Sequence, residues 1–481
     1  MFPRTLADLK AADDPGFGFS FNSFYGSLKE LRKDALSIPH RLSSILIDAK
    51  FAQQVASTYN LPLIANERCG SWYVPADKKI ESAYFKSTDG HTGQWSFSLR
   101  RLNLQILDVI RQNGGCVIVD STRRGKCMPD AFSKTIPIWC AVINRVLFPE
   151  RKDSHHLQCP ATGVPSTEVV QIESRLADFV QAFQDLNLDI ETLRKRLEKP
   201  IRLGWAADHN IDLLPPLTTG PNEKTFSTFF NVILCSASRQ VRGAEMSEGG
   251  YIQGAGDDSE HWSHGLTAQL FWQHKDILLG TTESELPELI EQLILCSDGH
   301  GSRPSITMIG PTREVFIGTW SPDLKWPDFD LIIHCHGSDI GNATQNTKQI
   351  FLQCSSGKSG GRKLRQKLET VKLLARRCLM TERSTSILIT CETGKDLCVG
   401  VALTLLCLFY PDTEHRLNGT RVGGTSQAKN PVPHALGNLP AQKIDKPFIR
   451  QRLAWITSSK PDANPSRSTL QSVHAYLMER P

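Results

Sequence analysis

Three short apolar runs constrain this chain more than any other feature: Cys116-Val117-Ile118-Val119, Val232-Ile233-Leu234-Cys235 and Ser386-Ile387-Leu388-Ile389-Thr390. Runs this short, with no polar alternation, fit strands buried on both faces. Such strands belong to sheets covered by helices, so the expected fold class is α/β. Helical patterns lie between the runs. Lys134 to Leu147 is apolar enough to pack as a buried helix, and Glu168 to Lys199 is a long amphipathic pattern ending in Arg194, Lys195, Arg196 and Lys199. That basic end suits a helix C-terminus. A further helix is expected within 28–59, with Pro39 interrupting it, and another over Cys398 to Phe409.

The polar residues after these runs matter most, because open α/β sheets bind ligands beyond the carboxyl ends of their strands. After Val119 come Asp120-Ser121-Thr122-Arg123-Arg124-Gly125-Lys126. An acid, two hydroxyls, two arginines and a lysine suit a phosphorylated ligand, since guanidinium forks match phosphate oxygens. Upstream, Lys86 to Arg101 (KSTDGHTGQWSFSLRR) begins with turn residues and ends on two arginines. Leu99, Leu102, Ile106 and Ile110 then recur at helical steps. A polar, glycine-containing loop feeding a helix can hold an anion on its backbone N–H groups; the same spacing fits a solvated loop capping a helix. From Lys78 to Lys126 there are nine Lys/Arg against four Asp/Glu, a local charge of +5 equal to that of the whole 481-residue chain.

Two later stretches carry similar chemistry. In Gly250 to Thr267, glycines bend the chain around Asp257, Asp258, Glu260, His261 and His264. Acids and histidines in such backbone can hold Mg²⁺ or supply a base; alternatively Asp257 caps the following helix. Between Ser356 and Arg383, nine Lys/Arg face two Asp/Glu. Leu368, Val371, Leu374 and Ala375 make one side of that run a core face, and its basic side is either solvated or follows an RNA backbone. The lysine of Gly357-Lys358-Ser359 lacks the G-x4-G-K-[ST] frame of a nucleotide-binding loop.

Bulk properties exclude several classes. At 40% hydrophobic and 22% charged, the chain is ordinary globular material long enough for two or three domains. No apolar run approaches the roughly 18 residues needed to span a bilayer. MFPRTLADLKAADD has no apolar core and carries acids, unlike a signal peptide. Thirteen cysteines without a C-x2-C pair argue for reduced thiols and a cytoplasmic protein, and against a structural zinc site. A boundary is expected in the loop-like SDGHGSRPS, dividing the chain into 1–298 and 305–481. Residues 410–447, rich in Gly, Pro, Asn and Thr, read as a mobile insertion.

Cys391-Glu392-Thr393-Gly394-Lys395-Asp396-Leu397 links a strand to an apolar helix. This resembles the phosphate loop of the dual-specificity phosphatases, and implies a C-terminal protein-tyrosine-phosphatase-like α/β domain beside the N-terminal α/β domain. Thr390 stands where that family has histidine, and Leu397 where it has the arginine that clamps phosphate. The resemblance therefore implies an anion-binding loop in a domain without phosphatase chemistry. Four further blocks resemble the initiator tRNA phosphoribosyltransferases of fungi and plants. They are ERCGSWY (Glu67 to Tyr73), SAYFKSTDGHTGQWSFSLRRLNL (Ser82 to Leu104), VDSTRRGKCMPDAFSKTIPIWCAVINR (Val119 to Arg145) and GYIQGAGDDSEHWSHGLT (Gly250 to Thr267).

That likeness implies transfer of a 5-phosphoribosyl group from phosphoribosyl pyrophosphate to the ribose 2′-hydroxyl of a T-stem purine, position 64, of initiator methionine tRNA. The modified initiator is thereby kept out of elongation. Such a reaction needs grips for the diphosphate, usually with Mg²⁺, and for the 5-phosphate, and a base for the attacking hydroxyl. Expected substrate-binding residues are Lys86, Arg100, Arg123, Arg124, Lys126, Cys391, Thr393, Gly394 and Lys395. The expected bases are Asp89, His91 or Asp396, and the expected Mg²⁺ ligands are Asp120, Asp257 and Asp258. A phosphatase acting through Cys391 and a non-catalytic tRNA-binding protein are the alternatives.

Overall fold

The computed structural model describes residues 36–87, 93–160, 163–210, 228–242, 247–298, 305–320, 329–336, 349–355, 357–381, 385–411 and 444–478. Asp89, His91 and most of the expected insertion at 410–447 lie outside them.

The buried runs become the centres of two sheets. In the N-terminal half β1 (Leu63–Asn66), β2 (Lys79–Ala83), β3 (Gly115–Asp120), β4 (Ile201–Ala206) and β5 (Phe230–Ser236) pair in parallel, in the order β2-β1-β3-β5-β4. Successive side chains of a strand point to opposite faces, and each face has its own apolar cluster. Cys116, Ile118, Val232 and Leu234 pack with α2 (Ile106–Asn113), α3 (Ile136–Leu147), α4 (Ser166–Gln184) and α5 (Ile190–Leu197). Val117, Val119, Ile233 and Cys235 pack with α1 (Ile38–Tyr59), α6 (Ala268–Gly280) and α7 (Leu286–Asp298). A short antiparallel hairpin, β6 (Ser247–Glu248) and β7 (Tyr251–Ile252), adjoins α1 through Tyr251 Oη, which donates to Asp48 Oδ1 at 2.8 Å.

The second sheet contains β8 (Ile306–Met308), β9 (Val315–Thr319), β10 (Leu331–Cys335), β11 (Gln349–Phe351) and β12 (Ile387–Cys391). Its order is β11-β10-β12-β9-β8, parallel except for β8 at the edge. Helices α8 (Gly357–Thr381), α9 (Leu397–Phe409), α10 (Lys446–Ser459) and α11 (Arg467–Met478) complete this half. Every residue of α9 is buried, as its all-round apolar sequence requires. Gly400 is the contact point with α11: a Cβ there would lie 2.5 Å from Thr469 Cγ2.

The structure corrects two readings of the sequence. Leu99 and Leu102 are not helical, and the helix starts at Ile106. Asn103 takes a left-handed φ of 53°, and its side chain accepts from Tyr84 N at 2.8 Å and donates to Arg101 O at 3.0 Å. Leu102 is still buried, and its carbonyl accepts from Trp139 Nε1 at 2.7 Å. Of the helix expected within 28–59, residues 28–35 lie outside the described residues; α1 begins at Ile38, with Pro39 in its first turn, where its missing N–H costs nothing. Glu168 to Lys199 is two helices, the second capped by Asp189, whose Oδ1 accepts from Thr192 N at 3.0 Å.

Candidate active site

In the N-terminal half a single arginine gathers the polar residues at the carboxyl ends of β1 and β3. Arg68 donates from Nε (3.2 Å) and one terminal nitrogen (2.9 Å) to the two oxygens of Asp120, which ends β3. The same nitrogen reaches Ser121 O, and the other donates to Asp257 Oδ2 at 2.9 Å. Asp120 is fully buried and takes further bonds from Asn66 Nδ2 (2.8 Å), Ser121 N (2.8 Å) and Cys69 Sγ (2.9 Å). Burial pushes the Asp120 carboxyl up, and Arg68 pulls it back down. Burial likewise pushes the Cys69 thiol well up, so it serves as a donor. Asp257 Oδ1 accepts from Ser121 Oγ at 2.6 Å, and that hydroxyl lies 3.1 Å from Tyr73 Oη.

The loop after β3 is clamped by the glycine-rich block. Gln253 accepts from Gly125 N at 2.9 Å and donates to Lys126 O at 2.7 Å. Ser238, beyond β5, accepts from Thr122 N (3.1 Å) and donates to Thr122 O (2.8 Å). Gly254 has φ +67°, and a Cβ there would meet Thr122 O at 2.8 Å, so glycine permits this close approach.

These bonds also locate the expected site residues. Asp120 and Asp257 serve Arg68, and Asp258 pairs with Arg123. With both oxygens of Asp120 and of Asp257 so engaged, the three carboxylates do not fit together as the expected Mg²⁺ site; among the described residues no group of three or more His, Cys, Asp or Glu is placed to hold a metal ion. Arg124 is exposed with a left-handed φ of 57°, and Lys126 Nζ lies 3.4 Å from Asp130 Oδ1.

In the C-terminal half the loop after β12 wraps around a sulfur. Cys391 Sγ is 3.2 Å from Cys398 Sγ and 3.8 Å from Thr393 Oγ1. The bond from the Cys398 thiol comes first among the causes that bring the Cys391 thiol down to about 5; burial opposes it, and backbone bonds from Cys398 and Asp396 reinforce it. Gly394 has φ +65°, and a Cβ there would lie 2.7 Å from Thr319 Oγ1. Leu397, at the position of the phosphatase arginine, is buried. Asp396 Oδ1 accepts from Ser466 N (2.8 Å) and Thr469 Oγ1 (2.6 Å), so this carboxylate braces the start of α11. Lys395 Nζ lies 3.3 Å from Asp462 Oδ2, and Lys395 O accepts from Asn464 N at 2.8 Å.

The stretch from Lys86 to Arg101 joins the two halves. Asn66, which bonds Asp120, also donates to Phe85 O at 3.0 Å, so Lys86 follows directly from the Arg68 cluster. At the other end Arg101 donates to Pro461 O (3.1 Å), Ala463 O (2.9 Å) and Asn464 Oδ1 (2.6 Å). Lys86, Ser98, Arg100 and Arg101 line a cavity of about 50 Å³ with Leu453, Thr457, Ala463, Asn464 and Pro465. Sequence reasoning missed Arg68, Asn66, Gln253 and Arg101 as site residues. Arg68, Arg101 and Gln253 lie inside the unusual blocks, and that was the signal pointing to them.

Two α/β halves with mainly parallel sheets each present a polar loop at the carboxyl end of a central strand, where sheets of this class bind ligands. Comparison with known proteins makes this specific. Residues 31–295 match the family model described as the Rit1 N-terminal domain, and residues 348–477 match the Rit1 DUSP-like domain. The chain belongs to the Rit1 family. It is 36% identical to an uncharacterized protein of Schizosaccharomyces pombe over 94% of this chain and 96% of that one. It is 32% identical to the tRNA A64-2′-O-ribosylphosphate transferase of Saccharomyces cerevisiae, covering 94% of each. The PTP-2 phosphatase of Cydia pomonella aligns over 35% of this chain and 88% of that chain at 12% identity, with a TM-score of 0.24, too low to bear on the function.

Proposed function

We propose that this chain is a tRNA ribosylphosphate transferase. In this reading it moves a 5-phosphoribosyl group from phosphoribosyl pyrophosphate to the ribose 2′-hydroxyl of nucleotide 64 of initiator methionine tRNA. The observation that carries the reading is full-length similarity to the Saccharomyces cerevisiae enzyme, with both family models matched in one chain. The chain divides into functional units at 1–298 and 305–481, with the substrates held where the Lys86 to Arg101 stretch meets the loop after β12. Arg124 and Lys395 bind donor phosphates, with Arg123 and Lys126 beside them, while Lys86 and Arg100 face the tRNA substrate. The backbone of Thr393 and Gly394 supports Lys395. Asp89 or His91 takes the hydroxyl proton, and Asp396 positions the loop through its two bonds to the start of α11. Cationic groups that meet the diphosphate as it leaves stabilise the charge developing in the transition state.

The test is transfer of label from phosphoribosyl pyrophosphate to unmodified initiator tRNA, with elongator methionine tRNA as control and Mg²⁺ varied. Label in the initiator alone is expected. Tight tRNA binding without label in either RNA would reduce the chain to a binding protein. One observation favours a second reading: a Cys391 thiol that ionises near 5 is a potential phosphatase nucleophile. Buried Leu397 leaves no arginine fork for the phosphoryl transition state, so turnover of p-nitrophenyl phosphate is expected to be absent. Turnover abolished by Cys391→Ser would favour the phosphatase.

A further inference from the structure

Four cations at the junction of the two halves have no acidic partner among the described residues: Lys86, Arg100, Lys446 and Arg450. All four are exposed. Elsewhere near this junction charges are matched, with Lys395 and Lys460 both on Asp462. On α10, Lys446, Arg450, Leu453 and Thr457 are separated by four, three and four residues, so they form one stripe of the helix. Leu453 and Thr457, at the far end of that stripe, line the junction cavity with Lys86 and Arg100. The cationic part of the stripe therefore runs on from the cavity wall. Helix α10 contains no Asp or Glu, and the acid just before it, Asp445, is used as its cap, accepting from Phe448 N at 3.0 Å.

The two sides of the junction approach each other at His474 on α11. Burial first, and then the charges of Arg100, Lys446 and Arg450, hold its imidazole below the usual range. A cation from the N-terminal half and two from α10 thus act on one ring. Unneutralised, exposed like charges favour a polyanion, because each phosphate contact releases condensed counterions. A cavity of about 50 Å³ is far too small for a nucleotide, so a ligand lies along this surface rather than inside it.

We propose that Lys86 and Arg100, with the Lys446–Arg450 stripe of α10, form a docking surface for an RNA sugar–phosphate backbone, which crosses the junction between the two halves. The inference rests on the tRNA substrate proposed above and assigns where that RNA lies. It sets the α10 stripe ahead of the basic face of α8, whose Lys372 is bound by Glu369 at 3.0 Å.

The experiment measures binding of unmodified initiator tRNA against salt for the full chain, for Lys446→Ala/Arg450→Ala, and for Lys363→Ala/Lys367→Ala on α8. All four are exposed helix positions, so the variants are expected to keep the wild-type melting temperature. Loss of two phosphate contacts is expected to lower the salt slope of log K by about 2 and to weaken binding about tenfold or more in the α10 variant. In the α8 variant both stay close to wild type. In the wild-type protein the His474 ring resonances are expected to titrate at higher pH with tRNA bound, because a phosphate replaces the repulsion of three cations. An unchanged slope in the α10 variant, or a slope change carried wholly by the α8 variant, would overturn the inference. Absence of tRNA binding by the wild-type protein would instead overturn the functional reading beneath it.

Discussion

Arg68 carries more of the N-terminal site than its single charge suggests. It holds two carboxylates, Asp120 and Asp257, that are 0% and 3% exposed and come from segments 52 and 189 residues away. Removing one partner of a buried ion pair leaves an uncompensated charge, which costs about 3–5 kcal/mol. Arg68→Ala is therefore expected to lower stability by about that amount in urea denaturation, tempered by the partial exposure of the arginine itself. Arg68→Lys should recover only part of it, since an ammonium cannot serve both carboxylates in fork geometry.

Cys391 makes a second residue-scale prediction. Its thiol, lowered to about 5 in the folded chain, ionises more readily than an unperturbed thiol near 8.5. A depressed acid contributes stability that is fully present above the unfolded value and is lost as pH falls through the folded one. The excess stability of wild type over Cys391→Ser is thus expected to shrink as pH falls from about 8.5 to 5. Cys398→Ala removes the neighbouring thiol 3.2 Å away, whose bond to the Cys391 thiolate is the first cause of its lowering, and is expected to move the thiolate absorbance step of Cys391 to higher pH.

At the scale of elements, both candidate loops depend on glycines at which a side chain has neither the backbone freedom nor the space. Gly394→Ala would force a left-handed residue against Thr319, and a loss of about 1–3 kcal/mol is expected, read as a lowered melting temperature together with weaker donor binding. How far the sequence revealed these elements follows from their burial. The strands β3, β5 and β12 were legible because both their faces are covered, which leaves unbroken apolar runs. Strand β2, Lys79–Ala83, was not, since a half-exposed edge strand of sequence KIESA carries no apolar run. The helix read at Leu99 failed because inward-facing leucines at helical steps are also met by an irregular segment pinned through Asn103. The acidic residues of the glycine-rich block were legible as a polar cluster, but the partner of Asp257 was not. Whether a carboxylate meets a cation from solution or a guanidinium 189 residues away is decided by the fold alone.

Across the whole molecule, one chain of bonds ties the two halves together. It runs from the Arg68 cluster through Asn66 and the stretch ending at Arg101 to Asn464 and the carbonyl of Lys395. Arg101 makes three bonds to the far half, and Arg101→Ala is expected to raise the donor KM about tenfold by loosening the loop that bears Lys395. The effect should combine less than additively with that of Lys395→Ala, because both act on one loop; full additivity in a double-variant cycle would place them in independent sites.

The proposed reaction turns on the hydroxyl that receives the transferred group, and one substituted RNA tests it. Initiator tRNA assembled with a 2′-deoxyribose at nucleotide 64 alone should bind as tightly as the unsubstituted RNA and take up no label from phosphoribosyl pyrophosphate. A 2′-deoxyribose elsewhere in the T stem should leave labelling intact. Label entering the RNA deoxygenated at position 64 would contradict the assignment of acceptor and reaction together.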